Sequence, residues 1–214
     1  MKHFESTRRL WPLLLGGLWL AGIATGLKTL WRYEATPGNS GEAPARWPKE
    51  SQLPLASDRA TLVMLAHPRC PCTRASVDEL AGLMTRLQGR VRAHVLFARP
   101  AGQPDDRTET TLWRAAAAIP GVSVRRDDGG SEARRFAAET SGQVVLYDPE
   151  GRLLFSGGIT ALRGHAGDNA GSHAIAALLE GARVETARTP VLGCALEGPK
   201  LAGGRDDGRP IQRN

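Results

Sequence analysis

The sequence predicts an α/β domain, a central mixed sheet covered by helices, carried behind one N-terminal transmembrane helix. Three observations predict it. An uncharged run of bilayer length lies near the N-terminus, a strand-length apolar run stops at two cysteines that open a helical repeat, and strand and helix patterns then alternate into a hairpin and a last helix. With 214 residues and 41% hydrophobic content, the chain is long enough for one compact core.

The N-terminal run comes first. After a basic tail, residues 1–9, with Lys2, Arg8 and Arg9, the stretch Leu10 to Leu27 holds no charge. Taken as a helix from Leu10 to Trp31 it spans about 33 Å, against a hydrocarbon core of about 30 Å. Trp11, Trp19 and Trp31 suit membrane interfaces, and Lys28 and Arg32 can snorkel at the far end. A short basic tail before a first apolar run stays cytoplasmic, which exports the remainder. A cleavable signal segment is the competing reading, with small residues at Gly22, Ala24 and Gly26. The retained anchor is preferred because the run exceeds a usual signal core.

Residues 32–58 are rich in Pro, Gly and polar side chains, a composition that predicts a flexible linker. Residues 59–196 form the predicted domain, and 197–214 read as a disordered tail. Within the domain, Thr61 to Ala66 is a buried-strand run that stops at His67-Pro68. From Thr73, apolar residues Val77, Leu80, Leu83, Met84 and Leu87 recur at helical spacing, with Gly89 just past the end. Ala93 to Ala98 reads as a strand, Glu109 to Ala118 as a helix, and Val122 to Arg125 as a short strand. Ser131 is placed to cap a helix that ends near Ser141-Gly142. Gln143 to Asp148 and Arg152 to Gly157 flank Pro149-Glu150-Gly151 as an antiparallel hairpin. The last helix covers about Ala170 to Leu179, with Asp168 or Asn169 as its cap and a glycine-rich loop before it.

Charge and cysteine count exclude some functions. The net charge is +6, but Arg is scattered among Asp, Glu and Gly with no stripe of exposed aromatics, so no nucleic-acid partner is expected. The loop from Gly157 to Gly171 lacks the Gly-Lys-Ser or Gly-Lys-Thr of a phosphate cradle. Only Cys70, Cys72 and Cys194 are present, too few for a disulfide framework. An odd set of three suits redox chemistry or metal binding.

The Cys70-Pro71-Cys72 sequence sits where a strand runs into a helix. Unpaired amides and the helix dipole there favour the thiolate, the reactive form of cysteine. Arg69 and Arg74 add positive charge, Pro71 stiffens the link, and His67 is placed to share a proton. A bridge between positions i and i+2 closes a small strained ring, and strained bridges are labile. Cys70 reads as the attacking thiol, with Cys72, deeper in the helix, as the thiol that resolves the mixed disulfide, and the roles reverse if the helix begins earlier. Cys194 has two open readings: a second resolving thiol brought back from the C-terminus, or a partly buried spare cysteine. His67 and Arg69 are candidates to support the thiols.

On these residues the chain resembles the thioredoxin superfamily, particularly its exported TlpA-like members, over about Arg59 to Leu179. Val144-Val145-Leu146-Tyr147-Asp148-Pro149-Glu150-Gly151-Arg152-Leu153 looks like that family's hairpin, and Arg99 to Arg125 like its extra helix and strand. More narrowly, His67-Pro68-Arg69-Cys70-Pro71-Cys72-Thr73-Arg74-Ala75-Ser76, with Gly157-Gly158-Ile159-Thr160 and Gly164 to Asn169, is similar to the bacterial RedB group. Two departures touch the active-site face. One residue is missing between the cysteines relative to Cys-x-x-Cys, and Gly142 occupies the position of the family's cis-proline.

The resemblance implies a thiol–disulfide oxidoreductase anchored in a bacterial inner membrane, its domain in the periplasm, exchanging with exported thiol or disulfide proteins. It implies no cofactor. The rival is a copper(I)-binding module, since two thiolates with Cys194 or a histidine suit that soft ion. The Sco-type copper chaperones share the fold, but where their histidine ligand stands this chain has Ser141-Gly142, so His67 or His165 would substitute. A peroxidase of the peroxiredoxin type is disfavoured because His67 stands three residues before Cys70 in place of threonine.

Overall fold

The protein was analysed as a computed structural model that describes residues 2–99, 109–184 and 186–196. The expected tail, residues 197–214, lies outside the described residues, as does part of the insertion after Arg99. Helix α1 (Lys2–Ala35) is followed by β1 (Ala60–Ala66), α2 (Pro71–Arg86), β2 (Val91–Arg99), α3 (Thr111–Ala117) and β3 (Val122–Asp128). Then come α4 (Ser131–Arg135), the hairpin strands β4 (Gln143–Tyr147) and β5 (Leu153–Gly158), and α5 (Ala170–Leu179).

The five strands form one sheet in the order β3-β2-β1-β4-β5. β1 pairs parallel to β2 and antiparallel to β4, while β2 and β3 are parallel and β4 and β5 antiparallel. Parallel neighbours joined by α2, then an antiparallel hairpin on the other side of β1, make the thioredoxin-like arrangement. The predicted mixed sheet covered by helices is the observed one.

Alternation along the strands sends side chains to two cores. Leu62, Met64, Val95, Phe97, Val144 and Leu146 face one side and pack with Val77, Leu80, Leu83 and Met84 of α2 and Ile175 of α5. Val63, Leu65, Leu96, Val145 and Tyr147 face the other, where α4 is only five residues long. One short helix cannot cover that face, and the segment before β1 completes it.

This corrects the expectation of a flexible linker over residues 32–58. Helix α1 continues to Ala35, and beyond it Ala43, Leu53 and Ala56 are buried. Trp47 meets Phe136 and Tyr147 edge-on, with ring centroids 5.1 and 5.3 Å away. Trp47 N donates to Gly151 O at 2.8 Å, Leu153 N to Ala45 O at 3.0 Å, and Tyr147 Oη to Pro44 O at 2.9 Å. The prolines keep this strap extended and out of a helix, and its few apolar side chains do the covering.

The helix read from Ser131 toward Gly142 is also corrected. Gly130 holds the cap position, and the Asp127 carboxylate accepts from Glu132 N at 2.8 Å and Ala133 N at 2.9 Å. The helix closes at Arg135 because Ala137 turns left-handed (φ 50°) and Ala138 N reaches back to Ala133 O at 2.7 Å. That early stop leaves Glu139 and Thr140 outside any helix, and Thr140 bridges Ala195.

Helix α1 contains a candidate membrane span, Trp11–Ala35, of 25 residues and mean hydropathy 1.5, with none of it buried. At the usual rise it measures about 38 Å, long enough to cross a hydrocarbon core of about 30 Å.

Candidate thiol site

Helix α2 brings the cysteines to the end of β1. Cys70 is its cap residue and Pro71 its first residue, where a missing N–H costs nothing. Cys70 closes no side-chain cap hydrogen bond, and its place at the helix start is one where the helix dipole favours an anion. Cys70 is 4% exposed and Cys72 6%.

Cys194 is brought to the same place from 124 residues away: its Sγ lies 2.9 Å from that of Cys70. The sulfurs of Cys70, Cys72 and Cys194 all lie within 4.8 Å of one another. The local signal in the sequence was Cys70-Pro71-Cys72, but the tightest sulfur contact runs to the distant cysteine. Two backbone hydrogen bonds explain the approach: Ser141 N donates to Cys194 O at 2.8 Å and Leu196 N to Glu139 O at 2.9 Å, so residues 194–196 run antiparallel beside 139–141, bridged at Thr140 and Ala195. Gly193 permits it, because a Cβ there would stand 1.9 Å from Ser141 O.

Gly142, in the expected cis-proline position, is left-handed (φ 88°), and its amide donates to Leu65 O at 2.7 Å. The described residues contain no cis peptide bond. A Cβ at Gly142 would meet Ser76 Oγ at 2.7 Å, so α2 sits closer to this loop than a larger residue allows.

A chain of hydroxyls converges on Cys70. His67 N donates to Ser141 Oγ at 2.8 Å, and Ser141 Oγ lies 2.6 Å from Thr73 Oγ1. When Ser141 donates to Thr73, the Thr73 hydroxyl is free to face the sulfur. Burial raises the Cys70 pKa, but the Cys194 thiol and the Thr73 hydroxyl and amide, turned toward the sulfur as donors, outweigh it and hold Cys70 below the ordinary thiol value. Burial, with the neighbouring Cys70 anion, pushes Cys72 up; burial and the same anion push Cys194 up to about 12.

One nitrogen of the His67 ring is engaged locally: Nδ1 accepts from Arg69 N at 3.2 Å, and burial together with the Arg69 charge lowers the His67 pKa. Arg69 and Pro71 are exposed. Sequence reasoning missed Thr73, Ser141 and Arg163. The Arg163 guanidinium donates to Gly193 O and to Thr36 O, stacks 5.2 Å from the Tyr33 ring, and lowers the Cys72 and Cys194 pKa values against the effect of burial. It ties the end of α1 to the thiol site. No local pattern marks it, since its partners come from three separated segments.

His165 is outside the cluster; its Nδ1 lies 2.8 Å from Arg163 O, and Asp168 contacts His173 at 2.5 Å instead. Asn169 is the α5 cap, as the second of the two expected cap residues, accepting from Ser172 N at 2.8 Å.

Comparison with solved structures places the arrangement among known folds. The chain is similar to an uncharacterized conserved protein from Geobacillus kaustophilus, at TM-score 0.57 and 19% identity over 78% of this chain and 95% of that one. It is also similar to a hypothetical protein from Sinorhizobium meliloti 1021, at TM-score 0.53 and 24% identity over 75% and 93%. A weaker likeness, TM-score 0.38 and 14% identity over 46% and 68%, is to a secreted Mycobacterium tuberculosis disulfide oxidoreductase homologous to E. coli DsbE. The first two show a shared fold. No protein-family model and no curated protein matches the sequence. The chemistry therefore rests on the residues themselves.

Proposed function

We propose that this chain is a membrane-anchored, exported thiol–disulfide oxidoreductase of the thioredoxin-like, TlpA-related kind, with resemblance to the RedB group. Its working pair is Cys70 and Cys194, with Cys72 as a third thiol at hand, and its partners are exported proteins bearing thiols or disulfides. The observation that carries this reading is the 2.9 Å approach of Cys70 Sγ to Cys194 Sγ at an uncapped helix start. Two thiols this close need only a small closure to bond, and the bridge avoids the strained ring that Cys70 and Cys72 would close. The span Trp11–Ala35 supports a single-pass anchor, with the domain in the periplasm of a bacterial inner membrane.

A copper(I) module is the second reading, favoured by three sulfurs within 4.8 Å. Three thiolates around one such ion stand about 4 Å apart at usual metal–sulfur lengths, so Cys70 and Cys194 would have to separate by about 1 Å. Neither His67 nor His165 joins the three sulfurs.

The test uses the full chain in detergent micelles, poised in graded glutathione buffers, with free thiols trapped by alkylation and counted by mass. Reversible loss of two thiols, abolished by Cys70→Ser or Cys194→Ser and kept in Cys72→Ser, is expected. Three thiols that stay reduced throughout and become protected by one equivalent of copper(I) would replace this reading with the metal module.

A further inference from the structure

We infer that Cys194, and not Cys70, is the sulfur that partner thiols attack, so that the C-terminal segment works as a built-in shuttle between Cys70 and the outside. The inference rests on the reading of Cys70 and Cys194 as a reversible disulfide pair.

Access points this way. Cys70 is 4% exposed, whereas Cys194 is half-buried and forms part of the wall of a half-open groove of about 880 Å³. The groove is bounded by Asn39, Ala137, Thr140, Arg163 and Ala195, and is large enough to admit a cysteine side chain with its neighbours. The backbone edge beside Cys70 is already taken: Ser141 and Glu139 hydrogen-bond residues 194–196 of the same chain. A partner strand cannot lie there without displacing that segment.

The chemistry agrees with the access. In the disulfide form, a partner thiolate entering the groove attacks Cys194 Sγ. The Cys70–Cys194 bond breaks, its electron pair leaves on Cys70, and a Cys194–partner mixed disulfide forms. Cys70 is the better leaving group of the two because the Thr73 hydroxyl and amide and the start of α2 remain to receive its anion after Cys194 has bonded to the partner. A second partner thiolate then attacks the partner sulfur, breaks the mixed disulfide and leaves the electron pair on Cys194, which takes up a proton. The partner dithiol has become a disulfide, the protein disulfide a dithiol, and two electrons have moved. With a partner disulfide as oxidant, the same steps run in reverse.

The experiment uses oxidised full-length protein in micelles and reduced glutathione as the probe thiol. Samples are acid-quenched at intervals, digested under acid and mapped by mass. The first adduct is expected on Cys194, with Cys70 free. An adduct that forms first on Cys70 overturns the inference while leaving the disulfide pair intact. Starting protein without a Cys70–Cys194 bond overturns the pairing itself. Ala195→Trp, which narrows the groove mouth beside Cys194, should slow probe attack about tenfold with no change in the glutathione midpoint. An unchanged rate in that variant, alongside an adduct on Cys70, would show that partners reach the site by another face.

Discussion

The starts of α2 and α5 are two finishes of one design. Each opens a helix after a strand running to the same end of the sheet, α2 after β1 and α5 after β5, and Glu79, on α2 itself, reaches the loop before α5. At α5 the start is capped and braced: Asn169 accepts from Ser172 N at 2.8 Å, and Glu79 holds the loop before it, accepting from Gly167 N at 2.5 Å and from Asn169 Nδ2 at 2.9 Å. At α2 the cap residue is Cys70, which closes no side-chain cap hydrogen bond, in a place where the helix dipole favours a thiolate. In the proposed function the capped start is structural and the uncapped one, with its sulfur, is the reactive one.

Predictions follow from breaking that contrast. Cys70→Ser should abolish reversible thiol exchange altogether, read by alkylation and mass, because both partner sulfurs lose the one thiolate the site stabilises. Forming the Cys70–Cys194 bond closes a long loop and should stabilise the fold by about 2–4 kcal/mol, seen as a shift in urea midpoint between oxidised and reduced protein and absent in Cys194→Ser.

Removal of the Thr73 hydroxyl is the next test. Thr73→Val should raise the Cys70 pKa toward the ordinary thiol value and slow its alkylation at pH 7 by about tenfold for each unit regained. The reduced protein also carries a pH signature with a definite sign. Cys194, pushed up to about 12, stays protonated in the fold where the unfolded chain ionises from about pH 8.5, so its contribution to stability is whole below that and lost as pH rises toward 12. Thermal melts of reduced protein should fall across that window. Oxidised protein, with no Cys194 thiol to titrate, should lack that loss. At the other helix start, Asn169→Ala should cost about 1 kcal/mol in urea unfolding and leave the glutathione midpoint unchanged.

Much of the fold was legible because each strand and helix announces itself locally. Thr61 to Ala66, the helical repeat from Val77 to Leu87 and the hairpin around Pro149 to Gly151 all depend on near neighbours. What was not legible depends on distance. Trp47, Leu53 and Leu55 look isolated in a Pro-rich stretch, and only the bare second face of the sheet gives them something to cover. The early end of α4 comes with the left-handed turn at Ala137, and the residues it frees, Glu139 to Ser141, find their partners in the distant 194–196. At the site, Cys70 and Cys72 were readable from the strand-to-helix junction. The 2.9 Å partner was not, because nothing around Cys194 in sequence tells it from a spare thiol.

The central claim is that the working bridge joins Cys70 to Cys194. Oxidised glutathione applied to the full chain in micelles, followed by acid quench, digestion and mass mapping, tests it most directly. The account predicts a Cys70–Cys194 cross-link with Cys72 free. A Cys70–Cys72 cross-link with Cys194 free would contradict it.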